Sequence, residues 1–269
     1  MDKIGRHVYA QLKSMNPKNL TDEQLEQVSS YESVSEISEE AKKRTSQYWE
    51  KVCEDENGVE PELTLSEVNE LFMEKFKELE GKEFDRNRES LSALECLITY
   101  LLGLSVFFDC SPITKLSEPN LKKGLLVIGD FGNGKTSMFK VLQSVLLNTK
   151  MKFGIYSANQ IVDMYEACST QGDKDYFWRR MVKDRILFDD VKTERIANNY
   201  GKANLFKDIL EKRYALGVTT FITCNYDDNH PQDIKKAVEE FGTKYGGRVY
   251  DRLFEMFNIL EFRGKSFRK

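Results

Sequence analysis

Gly129, Asp130, Phe131, Gly132, Asn133, Gly134, Lys135 and Thr136 have the spacing G-x-x-x-x-G-K-T and lie between an apolar run, Leu125 to Ile128, and a helical pattern from Ser137. In that setting the pattern predicts a phosphate-binding loop. Its glycines let the backbone curl so that successive N–H groups point at phosphate oxygens, and the following helix adds the positive end of its dipole. Lys135 is then placed to reach the β and γ phosphates and the Thr136 hydroxyl to ligate Mg2+, so the stretch from Gly129 to Ser137 is expected to bind ATP with its magnesium ion. A glycine-rich turn in an unrelated fold is the competing reading, and the strand before and helix after weigh against it.

Further segments carry groups that such a site needs. Arg185 to Phe188 is an apolar run ending in Asp189 and Asp190. We expect Asp189 to hold the metal and Asp190 to orient or deprotonate the water that attacks the γ phosphate. Alone, two acids after a strand would as readily be a solvated strand end; downstream of a phosphate loop they favour catalysis. The run Thr219 to Cys224 ends in Asn225, either a sensor of the γ phosphate and attacking water or the opening of the turn Tyr226 to Asn229. Arg248 and Arg252 share a helical face and offer donor forks that suit a γ phosphate, as a finger entering a neighbouring subunit's site or else as surface cations. Tyr176-Phe177-Trp178-Arg179-Arg180, near Lys174 and Lys183, interleaves aromatics and cations as nucleic-acid stacking requires, although Phe177, Trp178 and Met181 equally suit the buried face of a short helix.

The elements that must position these groups fall into two regions. From Gly124 onward, short apolar runs alternate with helical patterns: Leu125 to Ile128, Phe153 to Ser157, Arg185 to Phe188, Val218 to Cys224 and Asn258 to Phe262. This predicts an α/β domain with a mostly parallel sheet and the phosphate loop at its carboxyl edge. Before residue 85 the chain reads as helices joined by polar linkers. Thr21 with Gln24 and Thr64 with Glu67 have capping-box spacing, and Leu65, Val68, Leu71, Phe72, Phe76 and Leu79 recur at helical spacing until Gly81. Ser29 to Glu40, rich in serine and glutamate, separates the two patterns. A further helix is expected from Arg88 to Leu104, with Leu91, Leu94, Ile98, Leu101 and Leu102 on one face, followed by a linker framed by Pro112 and Pro119.

Composition narrows the setting. With 269 residues, 40% hydrophobic and 31% charged, the chain has the make-up of a soluble protein. Its longest apolar stretch, Leu97 to Phe108, is broken by Thr99, Tyr100, Gly103 and Ser105, and no signal-like segment opens the chain, so a cytoplasmic protein without a membrane span is expected. Five scattered cysteines and two histidines offer little for a disulfide framework or zinc site. A net charge of −4 argues against coating nucleic acid with the whole surface, but cations gather between Lys244 and Lys269.

Taken in order, the motifs resemble the lid-less AAA+ ATPases of the bacterial DnaC/DnaI helicase-loader and IstB transposition-helper group. The resemblance rests on Gly129 to Thr136, Ile186 to Asp190, the strand ending at Asn225, Arg248-x-x-x-Arg252-Leu253, and the terminal run Phe262 to Arg268, covering about residues 88 to 269. It implies an α/β P-loop NTPase fold of AAA+ type, with residues 1–85 as a helical partner-binding or bracing region and 86–269 as an ATPase domain without a C-terminal lid. Arg252 becomes the arginine of the R-L finger motif with Arg248 next in line, and Arg268 the terminal arginine near nucleotide or DNA. Lys192 stands where a glycine often follows the acidic pair. The implied function is a DNA-associated ATPase that loads a replicative helicase, gripping DNA, single-stranded for preference, as an ATP-dependent homo-oligomer. The alternatives are a transposition helper whose partner is a transposase, a nucleotide-gated interaction protein with little turnover, and a metabolic P-loop kinase, for which no acceptor pocket or cationic lid is evident.

Overall fold

Thr64 starts the first described helix, α1 (Leu65–Glu80), by a complete capping box: its hydroxyl accepts from the Glu67 N–H, and the Glu67 carboxylate accepts from the Thr64 N–H at 2.8 Å. Gly81, at φ 69, ends it in the left-handed conformation that glycine adopts without strain. In this computed structural model the described residues are Thr21, Gln24, 63–199, 201–264, 266 and 267. The chain divides into two units, Met1–Glu62 and Leu63–Lys269. In the first, Thr21 and Gln24 make both halves of the expected capping box, at 3.0 and 3.3 Å. The other helices expected there, and Ser29 to Glu40, lie outside the described residues.

The division falls well before residue 85, where the composition changes. The reason is burial: Val68, Phe72 and Phe76 of α1 join Phe84, α2 (Arg88–Leu101) and α3 (Lys135–Val145) in one apolar cluster, so α1 belongs to the second unit. Phe72, Phe76 and Phe84 hold the junction with ring centroids 5.1 to 5.8 Å apart. Leu71 and Leu79, from the same helical pattern, flank this stripe and stay exposed. Helix α2 is shorter than expected, stopping at Leu101 because Gly103 takes φ 68. Leu94, Ile98 and Leu101 face inward as expected, Leu91 stays exposed, and the buried face is widened by Ala93, Cys96 and Leu97.

The sheet follows. Strands β1 (Gly124–Gly129), β2 (Gly154–Ser157), β3 (Ile186–Asp189), β6 (Thr220–Cys224) and β7 (Phe257–Phe262) pair in the order β2-β3-β6-β1-β7, all parallel. A short antiparallel hairpin, β4 (Ala197–Asn198) with β5 (Lys202–Ala203), was not apparent in the sequence pattern. Because side chains alternate along a strand, Leu125 and Val127 enter the cluster with α1, α2 and α3. Leu126 and Ile128 enter a second cluster on the opposite face, formed with α4 (Ala158–Glu166), α5 (Gln171–Lys183), α6 (Leu205–Leu216), α7 (Ile234–Tyr245) and α8 (Gly247–Met256). Helices thus cover both faces, which explains why the strands read as continuous apolar runs. No described helix is long and apolar enough to cross a membrane.

One buried cation ties the second face together. Arg213 of α6 is fully buried, donating to Thr220 Oγ1, the Met181, Asp184 and Thr219 carbonyls, at 2.6 to 2.9 Å. Burial lowers its guanidinium to about 10, so it stays charged at neutral pH. Arg213→Ala leaves those acceptors unmet and opens a cavity, and is expected to destabilise the fold by about 3 kcal/mol in urea unfolding.

Candidate nucleotide site

Sheet register brings the separated motifs together. Ile128 pairs with Cys224 and Phe188 with Ile222, so Gly129 lies level with Asn225 and Asp189 level with Thr223 at the carboxyl ends of their strands. Between β1 and α3 the loop needs its glycines. A Cβ on Gly129 would stand 2.4 Å from the Phe262 carbonyl oxygen, and Gly134 takes φ 88, where a Cβ would stand 3.2 Å from the Phe267 ring. Helix α3 begins at Lys135, earlier than the pattern from Ser137 suggested, and Gly134 provides no side-chain cap. Its first amides are therefore left for an anion. Asn133 fastens the loop to β7 by donating to the Phe262 carbonyl at 2.8 Å, and the Phe267 N–H donates to the Gly132 carbonyl at 3.0 Å.

Lys135 is the hub. It is 5% exposed, and its Nζ donates to the Gly129 and Asp130 carbonyls, Asn133 Oδ1 and Asn225 Oδ1, at 2.8, 2.9, 3.2 and 3.0 Å. Burial lowers the ammonium to about 8, against the opposing pull of Cys224, Asp190, Asp189 and Asp130. Thr136 Oγ1 donates to Asp189 Oδ1 at 3.0 Å, and the same carboxylate oxygen accepts from Thr223 Oγ1 at 2.5 Å. Thr223 also accepts from the Asp190 N–H at 3.0 Å and so sets both acids at once, a role the sequence concealed within an apolar run. Asp190 is exposed and takes φ 55, followed by Lys192 at φ 84. Left-handed backbone costs about 1–2 kcal/mol at a residue other than glycine. The glycine expected after the acids would have met that requirement without strain.

A cleft of about 1310 Å³ runs over these groups, bounded by Asp130 to Met138, Asp190, Asn225, Gly264, Ser266 and Phe267. Its far wall comes from Phe76, Glu80, Lys82 to Asp85 and Asn87, which carried no chemical signal in the sequence. Ser137 lines the cleft as expected. Arg248 and Arg252 do not line it. They sit on α8, Arg248 exposed and Arg252 with its guanidinium 4.4 Å from the centre of the Tyr214 ring. Arg268 lies outside the described residues. On α5, Phe177 and Met181 are buried, so the core reading holds for them, while Tyr176 and Arg179 face outward with the Arg179 guanidinium 5.7 Å from the Tyr176 ring centre. Arg180 packs on Tyr156, and Lys212 on the half-buried Trp178.

The sequence matches no family model, and no curated protein is similar to it. Solved structures are. The crystal structure of the DnaC helicase loader is 18% identical, with a TM-score of 0.50 over 67% of this chain and 93% of that one. DnaI is 18% identical over 72% of this chain and 92% of that one, with a TM-score of 0.43. AMPPCP-bound DnaA from Aquifex aeolicus is 17% identical over 79% of this chain and 54% of that one, with a TM-score of 0.45. The structural neighbours thus include DnaC/DnaI helicase loaders, and the fold is a P-loop ATPase fold of AAA+ type with a parallel central sheet.

The depressed Lys135 ammonium sets a measurable expectation. At pH 8.5 most of it is neutral in the free protein, and a bound triphosphate raises its affinity for a proton. Binding of ATP should therefore take up a proton from buffer, seen in calorimetry as an enthalpy that scales with buffer ionisation, and the uptake should vanish in Lys135→Arg.

Proposed function

We propose that this chain is an ATP-hydrolysing, DNA-associated AAA+ protein that loads a replicative helicase. The observation that supports it most is the meeting of Lys135, Asn225, Thr136 and Asp189 at one end of the sheet through bonds of 3.0 Å, although they come from the start of one helix and the ends of two strands. In this reading the amides from Gly132 to Thr136 cradle the triphosphate, and Lys135 exchanges loop carbonyls for the β and γ phosphate oxygens. Thr136 and Asp189 form an oxygen-only donor set that suits Mg2+, which when bound neutralises phosphate charge. Asp190 orients a water and takes its proton as the water attacks the γ phosphorus; the bond to the bridging oxygen breaks and ADP is left. Asn225, its amide oxygen held by Lys135, donates to the attacking water or the γ phosphate.

The finger and the partners complete the proposal. Arg252, with Arg248 beside it, lies away from its own cleft, which suits action on a neighbouring subunit in an ATP-dependent homo-oligomer. Tyr176, Arg179, Arg180 and Lys183 give α5 an aromatic and basic outer side for single-stranded DNA. The N-terminal region, expected over residues 1–85, serves to hold the helicase, in the cytoplasm. A transposase in place of the helicase is the reading that co-purification with each candidate in the presence of ATP separates from this one.

Two variants test the mechanism. Lys135→Ala should lose nucleotide binding, whereas Arg252→Ala should keep binding and lose stimulated hydrolysis. Mixing them should restore phosphate release, because Lys135→Ala subunits still offer a finger to sites that lack one. An inactive mixture rules out the finger across the interface, and ATP binding with no stimulated release from the unaltered protein rules out the ATPase in favour of a gated interaction protein.

A further inference from the structure

Lys192 is a buried lysine in a backbone conformation that disfavours its side chain, and the mechanism above leaves it without a task. Its side chain is 6% exposed and its φ is 84. The Nζ donates to the Asn225 carbonyl at 2.9 Å and pairs with the Glu240 carboxylate on α7. Its own carbonyl accepts from Lys244 Nζ, and its N–H donates to Tyr245 OH at 3.1 Å, both also on α7. Glu194 accepts from Tyr245 OH at 2.7 Å and closes the network. Helix α7 continues into α8 through the single residue Gly246, and α8 carries Arg248 and Arg252.

Asn225 is thus held at both ends: its side chain by Lys135 inside the phosphate loop, its carbonyl by Lys192. From this geometry we propose that Lys192 is a positioning residue that carries the occupancy of the phosphate site to the helix bearing Arg248 and Arg252. The inference rests on the nucleotide reading of the site. A γ phosphate that draws Lys135 and Asn225 towards itself moves the acceptor that Lys192 must follow. The ammonium is tied to α7 by the Glu240 carboxylate and by the Ala237 carbonyl at 3.4 Å, so α7 moves with it and turns α8. A lysine held at φ 84 where glycine would be unstrained indicates that the ammonium, and not the backbone alone, is what this position uses.

The test measures amide hydrogen exchange across residues 247–256 in the full chain, with and without a non-hydrolysable ATP analogue and Mg2+, alongside phosphate release. The unaltered protein should change exchange in this segment by about tenfold on binding the analogue. Lys192→Met, Lys192→Gly and Glu240→Gln should each bind the analogue as well as the unaltered protein while losing that change, and their stimulated kcat should fall with KM unmoved. Lys192→Gly separates the roles, since it relieves the backbone and would behave normally if conformation alone mattered; Glu240→Gln serves if Lys192→Met does not fold. Variants that bind the analogue and keep the exchange change, or an unaltered protein that shows none, overturn the proposal. An unaltered protein that shows the change and releases no phosphate supports the transmission and removes only the ATPase reading.

Discussion

The site depends on the register of three parallel strands. Ile128 opposite Cys224 and Phe188 opposite Ile222 put Gly129 level with Asn225 and Asp189 level with Thr223 at the carboxyl end of the sheet. A slip of one residue would reverse every side chain on the strand concerned. Here both faces are packed, by different helices and with different residues, so a slipped β1 would have to exchange Leu125 and Val127 with Leu126 and Ile128 between two formed clusters. The burial that stabilises the domain is therefore the same force that aligns the groups of the candidate site.

On that edge, the phosphate loop is held from outside as well as by its own glycines. Phe262 at the end of β7 receives Asn133, and Phe267 beyond it binds Gly132 and lies on Gly134. The segment after the last strand is consequently part of the loop's frame. Within the frame, an uncapped helix start and a buried ammonium lowered to about 8 leave an excess of donors and a shortage of negative charge. A triphosphate supplies what both lack.

Beyond the cleft, two charged side chains among the described residues are buried where they join elements. Arg213 joins α6 to the end of α5 and the entry of β6, while Lys192 joins the loop after Asp190 to α7. The first holds a fixed junction made largely of backbone carbonyls. The second touches a residue of the site, which is why it suits transmission rather than bracing alone.

From the order of residues alone, the phosphate loop, the acidic strand end, the five sheet strands and the cap and stop of α1 were legible, because each depends on neighbours in sequence: glycine spacing, apolar runs, a box of four residues, a glycine after the last turn. What the fold alone decided depends on partners distant in the chain. Thr223 between the two acids, Lys192 on α7 and the far wall with Phe76 and Asn87 all follow from strand register and helix packing, which no local pattern encodes. The membership of α1 in the second unit has the same cause: Val68, Phe72 and Phe76 join the apolar cluster of α2 and α3, a partnership that the local pattern does not encode.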